Sequence, residues 1–421
     1  MSASSNAAPA APAPVAARTP GPRFPELDGL RGFAALGIAI YHYLGGPASH
    51  LPLLHRFLKF LELSPLSLDL FFVLSGFLIG GILLRSRQAP DYYKTFYRRR
   101  FYRILPLYYV WIAFFCILYF VAQGWGLTPP AWHSGVLYLA SYVFLFQNFF
   151  PAIIRSTYMV QPTWTLVVEE HFYVLAPLCV RRLTLRGLVK VLLAVILLAP
   201  LFRAVLFRYL GNRSEWSDIA SRIWPPCRAD ALALGVLLAV VWATPEFRTW
   251  IHKRISVFVW GMIGTTAAAV LLDWMAREDL HHSRSLNVAL GRSAVELACF
   301  CLIVCLISRP QSAFARWLST DTMRGLGQIS YCIYVVHWGI LWMIFRFVLH
   351  MRLGERLWVD FAVIPVALLL TILVARLSWR YLEYPLIKRA HSTPTPALAT
   401  ATERRQPIPV TLAPDAIRFI K

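Results

Sequence analysis

Long apolar runs recur along this chain of 421 residues. Many of them reach about 20 residues, the length that an α-helix needs to cross the hydrocarbon core of a bilayer. Lipid offers the backbone no hydrogen-bond partners, so only helices and closed barrels span membranes. With 58% hydrophobic and only 15% charged residues, the chain is predicted to be an all-α, polytopic helical membrane protein. We expect about ten transmembrane helices around an internal polar cavity.

The aromatic and apolar segment 132–150 decides the predicted number of helices. If it does not span, ten helices remain and both termini lie on the same side of the membrane. The loops on that side then carry roughly twice as many lysines and arginines as the opposite loops, as the positive-inside rule expects of the cytoplasm. We therefore predict ten spans in the cell (inner) membrane with both termini cytoplasmic. Segment 132–150 would lie along the outer surface or re-enter the membrane.

The rest of the composition limits the classes of partner. The net charge of +21 is spread over several loops, which suits anionic lipid or an anionic cofactor, and no nucleic-acid-binding module is recognisable. The seven cysteines form no CxxC pair, so we expect neither a metal site nor a disulfide framework. Residues 1–25 and 390–421 are rich in Ala, Pro and Thr and are predicted to be disordered tails, the second of them cytoplasmic, around a membrane domain at 26–389.

The stretch from Asp28 to His42, DGLRGFAALGIAIYH, carries the first functional signal. Arg31 and His42 are eleven positions apart, which on a helix is about three turns plus roughly 20°, so both side chains share one face about 16 Å apart. Ionisable groups inside a membrane are costly and are functional candidates by default. The alternative is that Arg31 snorkels to a lipid phosphate and that His42 is a core histidine with satisfied hydrogen bonds.

Further charged or titratable side chains interrupt the predicted spans. Buried charges must be paired or neutralised, so we expect these groups to converge on an internal cavity. A histidine there can exchange protons near neutral pH and act as a general base. For each acidic residue the alternative is a structural ion pair with an arginine of a neighbouring helix. These positions are Asp69, Glu169, Glu170, Arg228, Asp230, Glu296, His337 and Glu383.

These positions fall in motifs that occur in the order typical of one family. The opening DGLRGFAALGIAIYH resembles that of the acyltransferase-3 family of integral membrane acyltransferases, and the resemblance covers about Pro25–Arg389. The departures from the family pattern are small and lie in the motif that begins at Trp164: Thr165 stands where serine is usual, and His171 where glutamine is common. The other motifs are DLFFVLSGF at Asp69–Phe77, RRRFYRILP at Arg98–Pro106, WTLVVEEHFY at Trp164–Tyr173, RADALALG at Arg228–Gly235, SYCIYVVH at Ser330–His337 and YLEYP at Tyr381–Pro385.

The resemblance implies transfer of an acyl group, often acetyl, from acyl-CoA (acetyl-CoA) to a hydroxyl. The enzyme would therefore be an acyltransferase that moves groups other than aminoacyl groups. Acceptors in the family are mostly carbohydrates of the cell envelope, such as O-antigen, exopolysaccharide and peptidoglycan, and also Nod factor and macrolides. Some members carry a fused hydrolase-like domain outside the membrane. Only a short polar tail follows the last predicted span here, so we expect an O-acetyltransferase of the carbohydrate type that hands the acyl group directly to its acceptor.

The resemblance also suggests roles for individual residues. Arg31, Arg100 and Arg103 are expected to hold the phosphates of the acyl-CoA, because arginine forks suit phosphate oxygens. His42 is the expected general base, oriented by Glu169 or Asp28, and acyl transfer to His42 itself is an alternative. Other polar positions are assigned to substrate binding or to structure: Asp69, Ser75, Glu170, Arg228, Asp230, His337 and Glu383.

A transporter or flippase of a lipid-linked sugar is the main rival, since about ten spans with buried charges suit that class too. The chain shows no obvious inverted repeat between its halves, a feature of many transporters. A purely structural membrane partner would not explain so many charged groups within the spans.

Overall fold

The structure, a computed structural model, describes residues 24–61, 63–124, 136–150, 158–210, 215–278 and 285–392. In these ranges every regular element is a helix. Almost all of the two predicted tails, and residues 132–135, lie outside the described residues. The α-helices are α1 (Pro25–Tyr43), α2 (Gly45–His50), α3 (Pro52–Leu61), α4 (Leu63–Ser86), α5 (Tyr92–Gly124), α6 (Val136–Val143), α7 (Trp164–Arg182), α8 (Leu185–Leu210), α9 (Glu215–Ile223), α10 (Ala229–Ala243), α11 (Pro245–Lys253), α12 (Ile255–Arg277), α13 (Arg292–Ser308), α14 (Ala313–Leu318), α15 (Asp321–Met343), α16 (Leu357–Ser378) and α17 (Tyr384–Ser392).

Eight helices of the described chain are long and apolar enough to cross a membrane. This confirms the predicted polytopic helical class. Helices α1 and α7 have 19 residues each, a length of about 28 Å. They are not among the eight, because they carry the charged side chains of the first and fourth motifs. Counting them gives the predicted ten spans. That total, like the side on which the termini lie, stays a prediction.

The described part of segment 132–150 is too short to span as a helix. Helix α6 has 8 residues, about 12 Å, against the roughly 30 Å of a hydrocarbon core. A 3₁₀ turn at Gln147–Phe149 follows it. The Asn148 amide donates to the carbonyl oxygens of Trp164 (2.9 Å) and Ile223 (2.7 Å). These contacts tie the segment to α7 and α9 and agree with the interpretation that it does not cross.

Glycines permit two close helix crossings. A Cβ on Gly327 of α15 would lie 1.9 Å from the carbonyl oxygen of Asp28 in α1. Likewise, a Cβ on Gly76 of α4 would lie 2.2 Å from the carbonyl oxygen of Leu232 in α10. Small residues let the backbones of membrane helices approach closely. The first crossing fixes how α1 and α15 face each other, which decides the pairing of their polar side chains.

Replacing Gly327 with alanine is therefore expected to destabilise the fold by about 1–3 kcal/mol, the usual cost of overpacking. The control is Gly325→Ala, two residues earlier in α15, where a Cβ would meet no heavy atom within 4 Å. Thermal unfolding of the purified proteins in detergent measures the difference. Equal melting temperatures for the two variants would contradict the close α1–α15 crossing.

Candidate functional site

A cavity of about 1060 Å³ lies among α1, α4, α5, α7, α10, α11 and α15. Its lining is rich in charge, with five arginines facing three carboxylates. The first turns of α1, the last turn of α4 and the start of α11 all contribute to it, so it lies on the side that the lysine and arginine distribution predicts to be cytoplasmic. The charged lining residues are Asp28, Arg31, Arg85, Arg100, Arg103, Glu169, Glu246 and Arg248.

The three arginines predicted to bind phosphate all line this cavity. None of Arg31, Arg100 and Arg103 forms a hydrogen bond or an ion pair with another residue in the part of the chain that the structure describes. The Arg100 guanidinium packs over the rings of Phe96 (5.8 Å) and Tyr173 (5.7 Å). Clustered cations without partners are costly to bury, and guanidinium groups bind phosphate oxygens in a bidentate geometry. The cavity is therefore suited to a polyanionic ligand.

Glu169 is held in the cavity wall by two hydroxyl groups. Ser75 Oγ of α4 donates to one carboxylate oxygen at 2.7 Å, and the Tyr173 hydroxyl donates to the other at 3.1 Å. Asp28 lines the same cavity. Neither carboxylate is hydrogen-bonded to His42, so the predicted orientation of His42 by Glu169 or Asp28 is not found. The reason is geometric: Glu169 faces α4 at the level of Ser75, in the arginine-lined part of the protein.

The hydrogen-bond partner of His42 is instead His337. His42 Nδ1 lies 2.8 Å from His337 Nε2, and the two rings are parallel within 3°. His337 is fully buried on α15. This contact joins the first and sixth motifs, which are 295 residues apart in sequence.

The histidine pair does not line the cavity. On α15 the lining includes Tyr334, which is one helical turn, about 5 Å, before His337. The Tyr334 hydroxyl donates to the carbonyl oxygen of Pro162 and accepts from Thr165 Oγ1, both at 2.9 Å. Tyr334 thus stands between the arginine-lined cavity and the two imidazoles. The cavity lining thus reaches Tyr334 but includes neither imidazole.

A second polar cluster lies in the helix core just behind the cavity lining, with the Arg228 guanidinium 5.0 Å from the ring of the lining residue Phe72. Arg228 of the 3₁₀ turn before α10 pairs with Asp69 of α4. Arg203 of α8 pairs with Asp230 at 2.8 Å and also donates to Ser293 Oγ at 2.6 Å. Asp69, Arg228 and Asp230 do not line the cavity. Each is instead paired with a side chain of opposite charge from another element, as the alternative of a structural ion pair expects.

The remaining predicted polar residues are also outside the cavity lining. Glu383 is buried and accepts a hydrogen bond from Ser378 Oγ at 2.8 Å. Glu170 follows Glu169 on α7 but does not face the cavity. Glu296 is fully buried, and neither of its carboxylate oxygens has a hydrogen-bond partner among the described residues.

The sequence analysis did not identify several residues of the cavity and of the buried ion-pair cluster. Arg85 and Arg248 line the cavity but stand in no motif, and only the fold brings them beside Arg31. Arg203 could have been recognised from the sequence as a buried charge, since it interrupts the apolar run of α8. Among the described residues no group of three or more His, Cys, Asp or Glu side chains could hold a metal ion.

Comparison with known proteins identifies the family. A family model described as an acyltransferase domain matches residues 24–379. O-acetyltransferase OatA of Staphylococcus aureus (strain NCTC 8325 / PS 47) is 26% identical over 387 residues, which cover 87% of this chain and 58% of OatA. The putative peptidoglycan O-acetyltransferase YrhL of Bacillus subtilis (strain 168) is 28% identical over 385 residues, covering 86% of this chain and 54% of YrhL.

Peptidoglycan O-acetyltransferase OatA of Listeria monocytogenes is 27% identical over 384 residues, covering 86% of this chain and 56% of that protein. The chain thus spans little more than half the length of these relatives. No solved structure matches it. The family model covers most of the chain, and the resemblance seen in the ordered motifs is confirmed: the protein belongs to the acyltransferase-3 family.

Proposed function

We propose that this protein is an integral membrane O-acyltransferase that moves an acetyl group from acetyl-CoA to a hydroxyl of a cell-envelope carbohydrate. The observation that carries the proposal is the cavity in which Arg31, Arg100 and Arg103 meet without an ion-pair partner among the described residues. Acyl-CoA is a polyanion of the cytoplasm. The side on which this cavity lies is also the one that the distribution of lysine and arginine assigns to the cytoplasm.

Arg85 and Arg248 extend the phosphate-binding set. Both line the cavity together with Arg31, from the end of α4 and from α11. Acyl-CoA carries phosphates at two separate places on its nucleotide, and arginines from several helices suit such a ligand better than a single cluster does. The narrow pantetheine arm would extend from these arginines towards Tyr334.

The relatives support a carbohydrate acceptor. Those of Bacillus subtilis and Listeria monocytogenes are named as peptidoglycan O-acetyltransferases, the former putatively. A hydroxyl of an envelope glycan is therefore the proposed acceptor here, and no observation favours a macrolide. The protein would act in the inner membrane with both termini in the cytoplasm, as the charge distribution predicts.

His42 supplies the proposed chemistry as general base. Its imidazole takes the proton of the acceptor hydroxyl while the hydroxyl oxygen attacks the thioester carbonyl. The carbon–sulfur bond then breaks, the imidazolium returns the proton to the departing thiolate, and the products are an ester and free CoA. In the covalent alternative His42 attacks first, CoA leaves, and the acceptor then takes the acyl group from the imidazole. Either route requires the thioester to pass Tyr334.

Mass spectrometry of envelope glycans from cells with and without the gene tests this function. The proposal expects one glycan class to lose the mass of one acetyl group when the gene is deleted and to regain it on complementation. Unchanged glycan masses in both strains would contradict a carbohydrate acceptor.

Arg100→Ala is expected to raise the KM for acetyl-CoA by about 10- to 100-fold, because a hydrogen bond to a charged group contributes roughly 1.5–3 kcal/mol. The control is Arg324→Ala, an exposed arginine of α15 that pairs with Asp321 at 3.2 Å and is not part of the cavity lining. Initial rates at varied donor and varied acceptor measure both constants. A change in the KM of the acceptor alone would show that the phosphate assignment is wrong.

A further inference from the structure

The hydrogen bonds of His337 determine which of its nitrogens carries a proton. His337 Nδ1 lies 2.7 Å from the carbonyl oxygen of Tyr334. A carbonyl oxygen can only accept, so Nδ1 of His337 must be the donor. In a neutral imidazole one nitrogen donates and the other accepts. Nε2 of His337 is therefore an acceptor.

The same reasoning extends to His42. Its Nδ1 lies 2.8 Å from His337 Nε2, and since Nε2 accepts, Nδ1 of His42 must donate. The lone pair of His42 is then on Nε2, the nitrogen that makes no hydrogen bond among the described residues. Among the residues that the structure describes, no carboxylate is hydrogen-bonded to either ring, so two neutral rings are the favoured state.

We infer that His337 is a positioning residue that fixes the tautomer of His42 and leaves His42 Nε2 as the basic atom. The inference deepens the proposed function and rests on it. His337 itself is unsuited to direct chemistry, because it is fully buried and both of its nitrogens are engaged. His42 is half-buried and keeps one nitrogen free.

The surroundings hold this arrangement in place. The Tyr43 hydroxyl donates to the carbonyl oxygen of His337 at 3.1 Å and lies 2.7 Å from Thr371 Oγ1 of α16. The ring of Trp338 meets the His42 ring edge-on, with centroids 4.8 Å apart. Both imidazoles are therefore restrained by α1, α15 and α16 together. Such support of a catalytic group by a second layer of contacts is typical of precise sites.

The magnitude of the effect follows from analogy with enzymes whose base is held by a third group. In serine proteases an orienting residue that imposes the wrong histidine tautomer lowers kcat by about 10⁴-fold. Loss of the acceptor on residue 337 would free the His42 ring to flip or to take the other tautomer. We expect kcat to fall by about 10²- to 10⁴-fold.

Three variants test the inference: His337→Gln, His337→Asn and His337→Leu. Glutamine can place its amide oxygen close to the position of Nε2, asparagine is too short to do so, and leucine has no acceptor. We expect Gln to keep kcat within about 10-fold of the native value, and Asn and Leu to lose about 10²-fold or more. The KM for acetyl-CoA stays unchanged in all three, since the pair does not line the arginine cavity.

The Gln and Asn comparison keeps the test decisive even if the leucine variant does not fold. Equal kcat values for His337→Gln and His337→Asn would overturn the positioning role. If residue 337 only filled space, there would be no reason for the Gln variant to be faster than the Asn variant. Adding His337→Leu to His42→Ala should cause no further loss, since residues that act as a unit are not additive. If His42→Ala is inactive while His337→Gln and His337→Asn have equal kcat values, the positioning role fails and the proposed base stands. If His42→Ala keeps native kcat, the base fails as well.

Discussion

His42→Ala lowers kcat for acyl transfer by about 10²- to 10⁴-fold, the range that a positioned general base contributes. The protein still inserts and folds, because His42 is only half-buried and its loss leaves the α1–α15 glycine crossing intact. The KM for acetyl-CoA stays close to the native value, since the arginines that hold the donor lie in a cavity that His42 does not line. Initial rates with purified protein measure both constants.

The matched control is His391→Ala, an exposed histidine near the end of α17 that is hydrogen-bonded to the carbonyl oxygen of Ile387 within its own helix. Its kinetic constants should equal those of the native protein. Rapid quenching followed by mass spectrometry separates the two histidine mechanisms, because only the covalent route leaves an acyl group on His42. A folded His42→Ala variant with native kcat would remove both of them.

Arg203→Met is expected to destabilise the fold by about 3–5 kcal/mol, the usual cost of breaking a buried ion pair. Arg203 is fully buried and donates to Asp230, to Ser293 and to the carbonyl oxygens of Cys227 (2.7 Å) and Ala289 (3.0 Å). Its removal leaves the Asp230 carboxylate in the helix core with Ser293 Oγ as its remaining partner, at 3.1 Å. Thermal unfolding in detergent, read by intrinsic fluorescence, measures the loss.

Arg277→Met is the control, because its pair with Asp273 lies within one helix and is partly exposed. Such surface pairs contribute about 0–1 kcal/mol. The double variant Arg203→Met/Asp230→Leu should recover part of the loss, since replacing both partners removes the uncompensated charge. An Arg203→Met protein as stable as Arg277→Met would show that the pair does not hold α8 to α10.

Local pattern was enough to predict the helical class, and the family motifs named three arginines that the structure brings together. Apolar runs near 20 residues identify spanning helices wherever lipid is the solvent. Arg31, Arg100 and Arg103 were predicted as one phosphate-binding set because their motifs lie at the ends of predicted spans on the same side of the membrane. The structure then brings all three to one cavity with Asp28, Ser75 and Glu169.

What the sequence could not predict depends on how distant helices pack. The partner of His42 is set by the crossing of α1 and α15, where Gly327 meets the backbone of Asp28. Before that crossing is known, Glu169 and His337 are equally good partners by residue type. Asp69 and Asp230 show the same dependence on packing: intramembrane charge marks a functional candidate, and only the fold reveals that each carboxylate is paired with an arginine, Arg228 or Arg203.

The central claim is that the arginine-lined cavity delivers an acyl donor whose acyl group becomes covalently attached to a carbohydrate hydroxyl. Purified protein in proteoliposomes, supplied with acetyl-CoA labelled in the acetyl group and with envelope glycan as acceptor, tests it most directly. We expect label in ester linkage on the glycan, at a rate that saturates with donor and is lost in His42→Ala. Movement of unlabelled glycan carrier across the bilayer, with no label joined to it, would contradict the claim and identify a transporter.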